Sequence, residues 1–131
     1  MTNQSTSYQK YFHVLNDKST SSFYGRVIVP PNITQVEAHQ LNKNILLSKH
    51  TKAFSRPELQ IYSDDIKCSH GSTIGSIDEN ALYYMQSRGL DIKTAKKIFM
   101  QGFLKSLLDE FSCHQETAQY LHNIIQNKVM L

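Results

Sequence analysis

The chain has 131 residues, 40% of them hydrophobic, which suffices for one compact core and falls short of two ordinary independent domains. Its 14 Lys and Arg against 11 Asp and Glu leave a net charge of only +3, and the basic residues are scattered apart from Lys93, Lys96 and Lys97, whose helical spacing reads as a solvated face. Nucleic acid is therefore not an expected partner, and with no apolar run of the ~20 residues that span a bilayer, neither is a membrane.

From the N-terminus, the first ten residues are rich in Ser, Thr, Asn and Gln and lack hydrophobic periodicity, so 1–10 reads as a disordered arm. The polar start Met1-Thr2-Asn3-Gln4-Ser5 carries no signal-peptide core, and an intracellular, cytoplasmic chain is expected, or an organellar one in a eukaryote. Residues 11–77 follow a pattern of short strands: Tyr11 to Leu15, Ser22 to Val29, Gln35 to Leu41, Asn44 to Leu47, Leu59 to Tyr62 and Ile66 to His70. Turns are expected at Asn16-Asp17, Pro30-Pro31-Asn32, Arg56-Pro57 and Asp64-Asp65. No helix of useful length fits this part. Strands this short suit a sandwich, a barrel or a solenoid, and the polar residues among them (Gln35, His39, Gln40, Asn42 and Asn44) suit stacked coils in which amides pair in ladders. No internal repeat is clean enough to decide between the three.

At residue 78 the pattern changes. Asp78 is a good N-cap for a short helix over Glu79 to Arg88, with Leu82, Tyr83 and Met85 as its apolar contacts, and Gly89 suits a left-handed C-terminal position. Asp91 caps a second helix through about Glu110, on which Ile92, Ala95, Ile98, Phe99, Phe103, Leu107, Leu108 and Phe111 form a helical stripe. Gly102 interrupts that helix and is expected to mark a close approach to another backbone. A third helix is expected over Gln115 to Val129, burying Ala118, Leu121, Ile124, Ile125 and Val129. Residues 78–131 thus read as a C-terminal helical subdomain.

The segment with most chemistry is Cys68-Ser69-His70-Gly71. On an extended strand, residues two apart share a face with their Cβ atoms roughly 7 Å apart, so a thiolate and an imidazole can meet one ligand. Two donors do not complete a four-coordinate site, and the remainder would have to come from elsewhere in the chain or from a second one. A buried structural cysteine beside a hydrogen-bonded histidine is the commoner meaning of the same spacing. A nucleophilic dyad is disfavoured, since neighbours on one strand are held too far apart for the hydrogen bond that would activate the thiol. Gly71 allows a bend or close packing, with Ser72, Thr73 and Gly75 keeping a following turn slim. His39 reads as structural, Cys113-His114 as an exposed pair at a helix boundary, and His13, His50 and His122 form no constellation. The two cysteines are too few for a disulfide framework and are expected as free thiols.

Several segments in series carry a family resemblance: Phe23-Tyr24-Gly25-Arg26-Val27, Ala38 through Ser48, Pro57-Glu58-Leu59-Gln60-Ile61-Tyr62, Asp65 through Gly75, and Tyr83-Tyr84-Met85-Gln86-Ser87-Arg88-Gly89-Leu90. In order and spacing, over about residues 12 to 111, they resemble the C-terminal part of the SufB/SufD family, and the Cys-Ser-His-Gly form looks like SufD. The resemblance implies a mainly β fold with α, namely the end portion of a right-handed β-helix (β-solenoid) followed by the helical subdomain. It implies a non-enzymatic scaffold for iron–sulfur cluster assembly, which pairs with a SufB-like paralogue and docks a SufC-like ATPase.

By motif position, the resemblance assigns to His70, and less securely to Cys68, contact with a nascent cluster at the partner interface, with Gly71 beside them. Tyr83, Arg88, Phe99, Gly102 and Phe103 fall in the region resembling the ATPase-docking part. No cofactor is expected to stay on the isolated chain, the iron–sulfur cluster being transient in the assembled complex. Full-length family members carry a long N-terminal region and further rungs, so the chain resembles a C-terminal portion, whose open coil end calls for a cap, a partner or self-association into a homo-oligomer. Two other readings remain beside the scaffold: a diverged β-helix interaction module without cluster assembly, and a polymer-acting β-helix enzyme. The enzyme needs clustered carboxylates, and the one close acidic pair in the strand region, Asp64-Asp65, reads as a turn.

Overall fold

The computed structural model describes residues 3–109 and 115–129. The chain divides into two compact units, Met1–Ser76 and Ile77–Leu131. The first is built of strands and the second of helices, so the fold is mainly β with α.

Five strands form the first unit: β1 (Thr6–Leu15), β2 (Thr20–Val29), β3 (Val36–Leu46), β4 (Lys52–Ile61) and β5 (Ile66–Ser76). All pairing is parallel, in a three-stranded sheet of order β1-β3-β5 and a two-stranded sheet of order β2-β4. Consecutive strands therefore alternate between sheets, and each pairs with the strand two later. The corners stack in the same way. Gln4 and Gln35, equivalent positions just before β1 and β3, both adopt the left-handed region, with φ of 54° and 57°. Asp17 and Asn32, where turns are expected, do likewise with φ of 57° and 61°. Ser63 ties one corner to the one before it, donating from its hydroxyl to the Pro30 carbonyl at 2.7 Å and accepting from the Ile33 amide at 3.2 Å.

The strands are longer and fewer than the sequence pattern suggests. Thr6 to Lys10, expected as part of the arm, belong to β1. Their backbone is held by the β3 ladder, which reads no side-chain hydrophobicity, so a polar strand forms without periodicity. Asn42-Lys43 does not break β3, because ladders to β1 and β5 carry the backbone through it. Arg56-Pro57 is not a turn: Pro57 lies within β4, which among the described residues pairs on one side only, and at a sheet edge a missing N–H is tolerated. Nor does the chain bend at Gly71, since β5 runs on to Ser76 and Cys68-Ser69-His70-Gly71 lies mid-strand.

Between the sheets, Val27 and Val29 of β2 pack with Val36 and Ala38 of β3, and Ile33, Leu59, Ile66 and Cys68 close around them. Further along β3 the inward positions turn polar, with Gln40, Asn42 and Asn44 all buried.

The second unit contains α1 (Glu79–Ser87), α2 (Ile92–Asp109) and α3 (Gln115–Val129). Asp78 caps α1 by accepting from the Asn80 amide at 2.9 Å, and Gly89 follows with φ of 92°. Asp91 caps α2, one carboxylate oxygen accepting from the Lys93 and Thr94 amides at 2.9 and 3.0 Å. The expected stripe on α2 is displaced. Ile92 and Ile98 are exposed, Phe99 and Phe103 are half-buried, and Ala95, Met100 and Leu104 are the buried positions. On α1, Leu82 and Met85 are half-buried, whereas Tyr83 is 74% exposed. Gly102 marks no close approach among the described residues: outside its chain neighbours and its own helix backbone, none of their atoms lies within 4 Å of the position its Cβ would take. The expectations for Glu110, Phe111, Cys113 and His114 lie outside the described residues, as do those for the Leu107, Ala118, Ile125 and Val129 side chains. No described helix is long and apolar enough to cross a membrane.

Candidate functional site

Parallel register carries the side chains of β1, β3 and β5 into columns that share a face. On the inward side Ser7, Ala38 and Cys68 form one level, then Gln9, Gln40 and His70, then Tyr11, Asn42 and Ser72, then His13, Asn44 and Ile74. The levels differ in polarity and in cover. Cys68 is half-buried against the valine cluster. From His70 onward the inward positions of β5 are exposed, while their partners on β3 are buried.

The polar levels are bonded on the β1 side. Gln40 Nε2 donates to Gln9 Oε1 at 2.9 Å, and His13 Nδ1 lies 2.8 Å from Asn44 Oδ1 and 3.1 Å from Ser21 Oγ. Asn44 Nδ2 donates to Asn42 Oδ1 at 2.6 Å and to the Thr73 carbonyl at 3.1 Å. Two atoms of these levels are left over. Gln40 Oε1 and Asn42 Nδ2 are buried without partners, as is Ser55 Oγ on β4. Gly25 makes this interior sterically possible, because a Cβ there would lie 2.6 Å from Gln40 Nε2 and 2.7 Å from Gln40 Oε1.

The outward face of the same sheet holds a cluster that residue spacing did not single out. Tyr8, His39 and Ser69 form one outward level of β1, β3 and β5, and the Tyr8 and His39 rings stack at 5.0 Å. Glu37 Oε1 accepts from Tyr8 OH at 2.8 Å and from His39 Nε2 at 3.0 Å, while His39 Nδ1 lies 2.6 Å from Ser69 Oγ. The His39 and Tyr8 hydrogen bonds hold the Glu37 carboxyl below its ordinary range, and the bond to Glu37 raises Tyr8. The order Ser-His-Glu resembles a hydrolytic relay, and it runs from the outer strand β5 through β3. Its evident work is to clasp three strands across the sheet. On the other sheet Tyr24 OH donates to Glu58 at 2.6 Å and depresses that carboxyl, and Arg26 reaches both residues. Only the period of two signals these pairs in the sequence. The partner at each position is set by register, which no local pattern prints.

The sequence-derived candidates are thus dispersed. Cys68 and His70 share a face at successive inward levels of β5. Gly71 points outward, half-buried, with Leu41 Cδ1 3.2 Å from its would-be Cβ. In the second unit Tyr83 is exposed, and Arg88 donates to Tyr84 OH at 2.9 Å and stacks over that ring. Phe99 and Phe103 are half-buried, and Gly102 is exposed. Among the described residues no three His, Cys, Asp or Glu side chains come together as metal ligands. Imidazole and thiol are both groups that suit iron.

The family model of the SUF system FeS cluster assembly SufBD core domain matches residues 1–103. An iron–sulfur cluster assembly SufBD family protein of Synechocystis is 35% identical over 97 residues, which are 74% of this chain and 21% of that protein. The iron–sulfur cluster assembly protein SufD of Escherichia coli is 32% identical over 96 residues, 73% of this chain and 23% of that protein. The chloroplastic protein ABCI7 of Arabidopsis thaliana is 35% identical over 98 residues, 75% of this chain and 21% of its own length. The chain matches little more than a fifth of the length of these relatives. With most of its length matched by the core-domain model, the chain belongs to the SufB/SufD family of iron–sulfur cluster assembly proteins, close to SufD.

Proposed function

We propose that the chain is a SufD-like, non-catalytic scaffold element of iron–sulfur cluster assembly, acting in the cytoplasm or in an organelle. Its strands are the end portion of a right-handed β-helix, and its exposed β5 face meets a SufB-like partner. His70 lends its imidazole to a nascent cluster held between the two chains. Cys68 lies within the same reach but is tied into the apolar cluster, so its part is secondary. The cluster is cargo that the complex builds and passes on, and no cofactor resides on this chain alone. The helical unit docks a SufC-like ATPase, with Tyr83, Arg88, Phe99, Gly102 and Phe103 in or beside the contact.

One observation carries this reading. The inward stripe His70, Ser72 and Ile74 is exposed on β5, a strand with a neighbour on one side only among the described residues, although its register partners are buried. A sheet edge with a ligating side chain and an exposed isoleucine invites another strand or chain. The ATPase contact is supported by Tyr83, Tyr84, Ile92 and Ile98, all exposed in the helical unit.

Mixing the chain with SufB-like and SufC-like partners and following cluster absorbance tests the first claim. His70→Ala should abolish cluster formation without preventing co-purification, and unchanged assembly in that variant would remove His70 from the mechanism. Tyr83→Ala should weaken retention of the ATPase while leaving the SufB-like partner bound.

A further inference from the structure

We propose that Gln40 is a positioning residue for His70: its side-chain oxygen accepts one imidazole N–H and leaves the other ring nitrogen free to bind iron. The inference rests on the reading of His70 as a ligand and names what prepares it. Gln40 and His70 are register partners on neighbouring parallel strands, so their side chains leave the same face roughly 4.8 Å apart. Gln40 is 3% exposed, and its nitrogen is already spent on Gln9 at 2.9 Å. In this arrangement the amide nitrogen faces Gln9, and the oxygen is left buried without a partner. Gly25 faces the amide and leaves it room that any side chain would take. A buried acceptor without a donor is costly to keep, and His70, exposed at the same level of the neighbouring strand, carries an N–H that could supply it.

The chemistry follows from the imidazole itself. Neutral histidine has one N–H and one lone pair, and a ligating histidine commonly gives its N–H to an oxygen that fixes tautomer and ring orientation and raises ligand basicity. A glutamine oxygen can only accept, so it selects the tautomer without adding charge beside the cluster. The competing occupant is a water molecule bridging Gln40 Oε1 and Asn42 Nδ2, which share a face of β3 with their Cβ atoms roughly 7 Å apart.

Long-range proton–nitrogen NMR of the histidine-labelled full chain, at about pH 8.5 and so above the ordinary imidazole range, reads the His70 tautomer directly. The unmodified chain should show a tautomer ratio displaced from that of free histidine under the same conditions. Gln40→Met, which removes the acceptor and keeps the length, should move the ratio toward that of free histidine, and Gln40→Glu should retain the wild-type ratio. With SufB-like and SufC-like partners, Gln40→Met should slow cluster formation about 10-fold or more. A tautomer ratio in the unmodified chain equal to that of free histidine, or an unchanged His70 spectrum in folded Gln40→Met, would overturn the proposal in favour of the water. His70→Ala separates the two claims. If it leaves assembly intact, the ligand reading fails whatever Gln40 does; if it abolishes assembly while Gln40→Met leaves the tautomer unmoved, only the positioning role fails.

Discussion

Replacing Gly25 by alanine puts a methyl group 2.6 Å from Gln40 Nε2, 2.6 Å from Phe23 Cζ and 2.7 Å from Gln40 Oε1. All three atoms end side chains, so the cost depends on whether those side chains can yield. Neither has room: Gln40 is buried and tied to Gln9, and the Phe23 ring is buried against Tyr11 with centroids 4.7 Å apart. Overpacking of this kind costs about 1–3 kcal/mol, from which the gain of alanine over glycine in a strand returns about 0.5–1 kcal/mol. A net loss of about 1–2 kcal/mol is expected, and for a unit of this size each kcal/mol lowers the melting temperature by about 4–8 °C. Thermal unfolding followed by far-UV circular dichroism reads it. Shortening Gln40 to alanine makes room for the methyl group, so the double variant should be less destabilised than the two single losses predict, with a coupling of about 1 kcal/mol. A midpoint unchanged in Gly25→Ala, or strict additivity in the double variant, would refute the packing argument.

Gly102→Ala should act in the opposite direction: with open space at its Cβ and a helical backbone, it should stabilise α2 by about 0.8–1 kcal/mol and raise far-UV ellipticity. Asp91→Ala removes the acceptor of the Lys93 and Thr94 amides and should fray the start of α2, seen as lost amide protection there in hydrogen exchange. Glu37 has its folded pKa depressed by His39 and Tyr8, so its stabilising effect is fully present above the ordinary carboxylate value near 4.5 and is lost as pH falls through the lower folded value. Melting temperature against pH should therefore fall less steeply on the acid side in Glu37→Gln than in the parent, and parallel curves would contradict the clasp. Cys68→Ser sets a hydroxyl against the valine cluster and should cost about 1 kcal/mol, whereas His70→Ala at an exposed position should stay within about 0.5 kcal/mol; equal losses in denaturant titrations would contradict the different burial of the two.

The division into strands and then helices was legible, because period-two alternation gives way to capped, 3.6-residue periodicity at Asp78. The ends of the strands were not. Thr6 to Lys10 are polar and Lys52 to Glu58 hold a proline, yet all are held in place by ladders to distant residues, a tertiary cause that local propensity cannot print. The amphipathic stripe of α2 failed at Ile92 and Ile98 for a related reason: periodicity marks apolar positions, not which of them a partner element covers. For the site, spacing placed Cys68 and His70 on one face, and the strand keeps them there. It could not show that Gln40 stands beside His70, that Gly25 faces the Gln40 amide, or that Tyr8, Glu37, His39 and Ser69 meet on the opposite surface. Those are facts of register between strands some thirty residues apart in sequence or, for Gly25, of packing between the two sheets.

Register also separates two residues that spacing had joined. One inward level holds Ser7, Ala38 and Cys68 beside the valine cluster, and the thiol there fills space as a small apolar group would. The next holds Gln9, Gln40 and His70, where a hydrogen-bonded amide pair ends in an unused oxygen. A residue whose side chain completes the core is poorly placed to leave it for a metal, because every withdrawal opens a cavity. An exposed imidazole beside a fixed acceptor has no such obligation, and its orientation can be set without cost to the core. Two competing meanings of one dipeptide spacing, a structural cysteine and a working histidine, can therefore hold at once, each for its own residue, because the boundary between apolar and polar interior falls between residues 68 and 70.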